Sequence, residues 1–263
     1  MKKTNIALLA GLISMVLLPS CGGNKEKEDD ISAVEFRSYS YDVIASENIS
    51  DSLPQEGASY KRISGSGVLP EKIGNYNITS LRDSLCSLAK IIVINDHLAQ
   101  PVIDDDCSLT KLDASSTEAC SVAVNELSID LVTPQLIVWK DYDYTYPCGA
   151  AHGYYDTTYL NYSIKLGSLL SLEQLFGKDY PEKLLPLLRE KIKKLDIALL
   201  VEPEEIDVPD DFRLTTHTIE FIYPLYSIAP YSEGEVSVEF ERYEIEELLE
   251  PGINKILYGS NFD

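Results

Sequence analysis

The stretch Tyr142-Asp-Tyr-Thr-Tyr-Pro-Cys-Gly-Ala-Ala-His-Gly-Tyr-Tyr155, followed by Asp156–Leu166 and Leu169–Phe176, decides how this chain is read. Seven of the seventeen tyrosines fall between Tyr142 and Tyr162. The run Gly149-Ala150-Ala151-His152-Gly153 predicts a tight loop. Leu160, Tyr162, Ile164 and Leu166 then alternate with Asn161, Ser163 and Lys165, the period of a strand with one buried face. Gly167 marks a turn. Ser171 is placed to cap a short helix carrying Leu172, Leu175 and Phe176.

Working outward from this centre, strands and helices mix without βαβ order. Ala33–Ala45 and Tyr60–Val68 read as strands, the first with one slip in its alternation that suggests a bulge. Gly65-Ser66-Gly67 reads as a turn or bulge within the second. Ile78, Leu81, Leu85, Leu88 and Ile92 give a helix from Asn77 to Ile94 one apolar face. Residues 95–118 are polar and read as an irregular insertion. Cys120–Leu131 and Leu136–Lys140 are expected strands. Pro181–Leu195 is expected to be helical, with Pro186 kinking or restarting it. Residues 202–211 form an acidic connector. Phe212–Tyr223 reads as one strand, and Val236, Val238 and Phe240 mark another. Tyr243–Leu249 reads as a short closing helix. The class this implies is α+β: antiparallel sheets with helices packed on one face, in two joined subdomains spanning 33–145 and 146–263.

Residues 1–20 read as a leader, with Lys2 and Lys3 before the apolar run Ile6–Leu18. Leu18-Pro19-Ser20-Cys21 matches a lipobox, so Cys21 is the expected lipidation site, a tether rather than a membrane span. The expected location is the bacterial cell envelope, as an outer-membrane lipoprotein facing the periplasm or the surface. Residues 21–32 are too polar to bury and read as a flexible tether. Their acidic cluster resembles the surface-export signal of Bacteroidota lipoproteins.

The chain has 22 Lys and Arg against 43 Asp and Glu; loss of Lys2 and Lys3 takes the formal charge from −21 to −23. Such a surface excludes nucleic acid as a partner and suits a cationic one. Four cysteines follow Cys21. Three pairings satisfy them; Cys107 with Cys120 closes the shortest loop and is expected, leaving Cys86 with Cys148, and free buried thiols are the alternative. No C-x-x-C, HExxH, GxSxG or Walker pattern occurs. Asp104-Asp105-Asp106 lacks the alternating ligands and glycine of a calcium loop. His152, with Cys148 near it in sequence, is the residue to examine for reactivity, but a Cys–His catalyst needs a third group and a free thiol. No catalytic residue, metal or cofactor is assigned. Tyr146, His152, Tyr154 and Tyr155 are the candidate ligand-binding residues, since tyrosine offers contact area and a hydroxyl at low entropic cost.

Three segments together resemble a known family. Tyr146-Pro-Cys-Gly-Ala-Ala-His-Gly153 is similar to its Gly-Gly-Ala-His loop. Tyr159–Phe176 is similar to the strand, turn and L-x-x-L-F helix that follow. Phe221-Ile-Tyr-Pro-Leu-Tyr-Ser-Ile-Ala-Pro-Tyr-Ser-Glu-Gly234 is similar to its Y-x-I-A-P-Y-x-x-G segment. The family is typified by the extracellular domain of the anti-sigma factor RsiV; residues 33–145 resemble the companion N-terminal domain of the deacetylase PdaC. Cys148 and Ala150 depart from the family's Gly-Gly spacing. The resemblance implies an envelope-facing, non-enzymatic module that binds a lysozyme-like protein or a cell-wall glycan. The alternatives are a cell-wall hydrolase using His152 and a scaffold lipoprotein of an envelope complex.

Overall fold

A computed structural model describes residues 34–47, 59–95, 98–103, 107–109 and 118–258. The leader, Cys21, the tether, His97 and the Asp104–Asp106 run lie outside the described residues. The fold is α+β, as read, and the chain divides into two units: the described residues up to Ser128 with Asp141–Tyr155, and Ile129–Lys140 with the residues from Asp156 onward. One cut at 145/146 therefore does not separate them. The chain passes three times between units along continuous strands, which no composition shift marks.

In the first unit β1 (Val34–Glu47) pairs antiparallel with β2 (Ser59–Ile73). The register slips between Glu35 and Phe36, which leaves Glu71 of β2 as the extra residue beside Pro70; across Phe36 to Tyr39, where the alternation of β1 suggested a bulge, the pairing is regular. Proline has no N–H to give the ladder, so a bulge is where β2 can hold one. The glycine run is neither turn nor bulge. β2 passes straight through it, with Tyr41 opposite Gly65 and Tyr39 opposite Gly67. A Cβ at either glycine would run into the facing tyrosine ring, so the missing side chains make room for Tyr39 and Tyr41, which stack on each other.

α1 (Thr79–Leu88) buries Leu81 and Leu85. It ends earlier than expected, and Lys90 turns the chain at φ 50. Ile91-Ile92-Val93 then enter β3 (Ile91–Asn95), because a β-branched run loses rotamer freedom in a helix and fits a strand. β3 pairs with β4 (Leu98–Pro101), and β5 (Cys107–Leu109) pairs with β1, so parts of the expected irregular insertion are strand. β6 (Ser121–Val132) returns parallel to β2, the one parallel pairing among the described strands. A parallel return needs a long crossover, and α1 to β5 supply it.

β7 (Leu136–Tyr146) follows β6 through a turn in which Thr133 Oγ1 accepts the Gln135 and Leu136 N–H groups at 3.2 and 2.9 Å. Tyr142 to Tyr146 thus belong to a strand, and the loop is confined to 147–153. β8 (Tyr154–Ser163), the turn at Gly167 and β9 (Ser168–Leu169) come next. Ser171 caps α2 (Leu172–Phe176) in a capping box with Gln174, as read. α3 (Tyr180–Ile192) runs through Pro186 without a break.

The second unit is completed by β10 (Asp211–Leu214), β11 (Thr218–Tyr223) and β12 (Val236–Glu241), which form a three-stranded antiparallel sheet. The single strand expected over Phe212–Tyr223 is a hairpin. Thr215 Oγ1 accepts the N–H groups of His217 and Thr218 and folds the chain back. α4 (Arg242–Ile245) and α5 (Ile253–Tyr258) close the unit. Phe176, Phe221 and Phe240 form the aromatic centre of its core, with Phe221 meeting Phe240 edge-on at 5.8 Å.

β8 departs from the one-sided pattern. Asn161 and Ser163 are as buried as Tyr162 and Ile164, while Leu166 is exposed. Asn161 takes the place of a strand neighbour for β10: its Nδ2 donates to Phe212 O at 2.7 Å and its Oδ1 accepts from Leu214 N–H at 2.9 Å. A buried backbone pair needs partners, and here an amide side chain supplies both.

Candidate functional site

The four residues singled out from the sequence lie in the first unit, around the loop between β7 and β8. The loop is stapled at its start. Cys148 forms a disulfide with Cys120, and its N–H donates to Ser121 Oγ at 3.1 Å. This corrects the expected pairings: Cys107 does not bridge Cys120, and Cys86 is a free, partly buried thiol. Loop length is a poor guide here, because the hydrogen-bonded backbone brings Cys120 and Cys148 to a Cα separation of 4.9 Å. Tyr146 OH donates to Ala150 O at 2.8 Å. Gly153 is buried where a Cβ would strike the Tyr144 ring. His152 is exposed, and its Nδ1 bonds the Gly153 carbonyl at 2.8 Å. Tyr154 is exposed, and Tyr155 lies 6.0 Å from Tyr142, ring centre to ring centre. None of these four residues lines either cavity described below.

Two cavities lie in the second unit and share Thr158, Asp210 and Asp211. One, about 390 Å³, has a floor of Ile206, Val208, Ile222 and Ile228 beneath the carboxylates of Asp156, Glu205, Asp207 and Asp210. The other, about 540 Å³, is walled by Tyr159, Tyr180, Ser171 and Glu173. Together they form a groove crossed by Asp211. No lysine, arginine or histidine is among the residues lining it.

The groove is built from elements whose backbones are tied down. Arg189 of α3 donates twice to Ile206 O, from Nε at 3.0 Å and from Nη2 at 2.7 Å. Tyr223 OH donates to Asp207 O at 2.9 Å. Ile206 is buried beneath the acidic connector. These bonds hold the carbonyls and leave the carboxylates to the groove. Arg213, the nearest cation on β10, is engaged by Asp130 and Glu220 and lies over the Tyr159 ring.

Asp211 is the unusual group. Its Oδ1 accepts the Tyr159 N–H at 3.0 Å, while Oδ2 is shut off from solvent with no hydrogen-bond partner. Burial, with Asp156 and Glu235 adding to it, pushes its carboxyl up to about 7. Glu235 is also held above the usual carboxylate range, first by burial, although Thr157 hydrogen-bonds it. Burial raises the Tyr159 phenol to about 12. Among the described residues no group of three or more His, Cys, Asp or Glu is arranged to hold a metal ion. None of their helices is long and apolar enough to cross a membrane.

The segment from α2 through β12 carries most of this groove. Residues 173–243 match the model of a domain family, DUF3298. That family is described only as a protein of unknown function. No curated protein matches the chain. A DUF3298-family protein from Bacteroides fragilis shares the fold at a TM-score of 0.58 and 20% identity, over 88% of this chain and 99% of that one. Another from Pseudomonas aeruginosa PAO1 matches at 0.52 and 16%, over 85% and 97%. The domain includes Asp207, Asp210 and Asp211. Sequence reading passed over these as a solvated connector; the apolar residues interleaved with them, Ile206 and Val208, were the signal that one side of the connector is buried.

Proposed function

We propose that the protein is a non-enzymatic component of the cell envelope, held at the outer membrane by acylated Cys21, that binds a basic, lysozyme-like protein or a cell-wall glycan through the groove at Asp211. The observation that carries this reading is the groove: an apolar floor, a rim of carboxylates and no basic side chain in its lining. Such a site attracts cations and sheds anions. The Cys120–Cys148 disulfide supports an oxidising, extracytoplasmic setting. The resemblance to the RsiV extracellular domain supports a lysozyme-like partner, and the similarity of the first unit to the PdaC companion domain supports a wall-facing role. Tyr154 and Tyr155 offer further contact area to a large ligand.

The test is retention of the full chain, in detergent, on immobilised lysozyme and on insoluble peptidoglycan at low salt. Binding of either that weakens with salt and with Asp207→Asn/Asp210→Asn is expected. No retention on both overturns the reading. One observation favours a second reading: Asp211 and Glu235 are both raised, as a general acid of a glycan-cleaving enzyme must be. Muropeptide release that disappears in Asp211→Asn would establish that hydrolase in place of the binding protein.

A further inference from the structure

The turn that follows β11 carries a side chain its backbone does not favour. Ser227 N–H donates to Pro224 O at 3.1 Å and closes the turn, and Ser227 Oγ donates to the same carbonyl at 2.7 Å. Tyr226, in the third place of the turn, stands at φ 64. Glycine or asparagine is the ordinary occupant of such a position, because a Cβ crowds the backbone there. A tyrosine held in it lowers stability. Burial of the ring does not offset this: Tyr226 is 48% exposed, while Leu225 beside it is buried.

The Tyr226 ring meets that of Tyr231, with centres 5.8 Å apart and planes tilted by 33°. Leu200 belongs to the same face, since its N–H donates to Ile228 O at 2.8 Å, and it is 53% exposed. Val201, Ser227 and Ile228, chain neighbours of these residues, line the smaller cavity. The apolar floor of the groove therefore continues onto the open surface at Leu200 and Tyr226.

The border of this face has one sign of charge. From Asp196 to Asp211 every ionisable side chain is acidic. Glu233 lies against the same segment, where its Oε1 accepts the Ala198 N–H at 3.4 Å. Lys193 pairs with Glu204 at 2.8 Å, and Arg189 donates to Ile206 O. Glu202, Glu205, Asp207 and Asp210 stay exposed. Such a border repels an anionic lipid surface, and a wholly apolar partner would desolvate its carboxylates without return. A polypeptide with cations set around an apolar side chain satisfies both parts. A tyrosine at the centre of a contact, ringed by polar groups, is where single side chains carry most of the binding.

We propose that Tyr226, with Leu200 and Tyr231, anchors a basic polypeptide that presents an apolar side chain between lysines or arginines. This rests on the reading of the groove as a site for a basic ligand. It chooses protein over glycan and puts the main apolar contact beside the cavities rather than in them.

The experiment titrates the full chain, in detergent at low salt, with the pentapeptides Lys-Lys-Leu-Lys-Lys and Lys-Lys-Ser-Lys-Lys, read by calorimetry. The leucine peptide should bind about tenfold more tightly, the margin that burying one leucine supplies. Tyr226→Asn and Leu200→Ser should each erase that margin, and Tyr226→Phe should keep it. Asp207→Asn with Asp210→Asn should weaken both peptides alike. Tyr226→Asn should melt at or above the parent temperature, because asparagine accepts the turn's backbone. Equal binding of the two peptides by the parent chain, or an unchanged margin in Tyr226→Asn, overturns the proposal alone. A lower melting temperature in Tyr226→Asn makes the ring structural and overturns it too. Loss of retention on peptidoglycan in Tyr226→Asn with the peptide margin intact would give the platform to a saccharide instead. Failure of both peptides to bind overturns the reading of the groove as a site for a basic ligand, and the proposal with it.

Discussion

The loop 147–153 of the first unit and the groove at Asp211 of the second are both rich in polar side chains, but they treat them differently. In the loop every named group is engaged: Tyr146 with Ala150, Cys148 with Cys120 and Ser121, His152 with the carbonyl of Gly153. Around the groove the backbone is engaged, but Oδ2 of Asp211, one of its lining residues, is not. A polar group that is satisfied within its own loop has little left for a ligand, whereas a buried oxygen without a donor is an unmet demand. The difference teaches that residue type marks where chemistry is available, and hydrogen-bond accounting marks where it is unspent.

The sharpest way to break the comparison is to remove the staple. Cys120→Ser with Cys148→Ser opens a closure spanning 28 residues. Chain entropy sets its contribution at roughly 3–4 kcal/mol. Thermal unfolding should shift to lower temperature, and proteolysis should nick the loop at 147–153 while sites in the groove stay protected. A chain that loses retention on both lysozyme and peptidoglycan in this variant would contradict the separation drawn between the two regions. Next in size is Asn161→Ala. It strands Phe212 O and Leu214 N–H in the interior, at about 1–3 kcal/mol each. Hydrogen exchange should quicken across β10 and leave β1 and β2 unchanged; uniform loss of protection would show that the two units unfold together.

A smaller effect, of opposite sign, is expected at the groove itself. Burial raises the Asp211 carboxyl from the ordinary carboxylate range to about 7 in the folded chain. Between these values the folded state binds the extra proton, so stability is highest below the unfolded value and falls as pH climbs toward 7. Asp211→Asn removes that cost. It should raise the melting temperature at pH 8 by the equivalent of about 2 kcal/mol, since part of the side chain meets solvent, and change it little at pH 4. A variant equally destabilised at both values would make Asp211 a structural residue.

Much of the fold was legible because burial in it is one-sided. Val236, Val238 and Phe240 alternate with exposed neighbours as read, and Ser171 caps its helix as read. What escaped was whatever depended on a distant partner. Asn161 looked outward by alternation and is buried because β10, about fifty residues later, uses it as a neighbour. Gly65 and Gly67 looked like a turn because the tyrosines that cover them lie on another strand. The groove was hidden for the same reason. A connector of alternating acidic and apolar residues resembles a solvated link until Arg189 and Tyr223 are seen to hold its carbonyls. The tyrosine-rich loop, by contrast, drew the eye through composition alone.

The smallest effect is the most direct test of that contrast. His152→Ala removes an exposed ring whose resolved hydrogen bond goes to the carbonyl of the adjacent residue. Exposed substitutions away from special contacts change stability by less than about 0.5 kcal/mol. The melting temperature should hardly move. Retention on lysozyme or peptidoglycan should also persist, since the groove is intact. A His152→Ala chain that folds normally but no longer binds either ligand would return the site to the loop. It would mean that an exposed imidazole bonded to the neighbouring carbonyl outweighs a groove with an unmet carboxylate oxygen, and hydrogen-bond accounting would have to yield to residue type as the guide to this molecule.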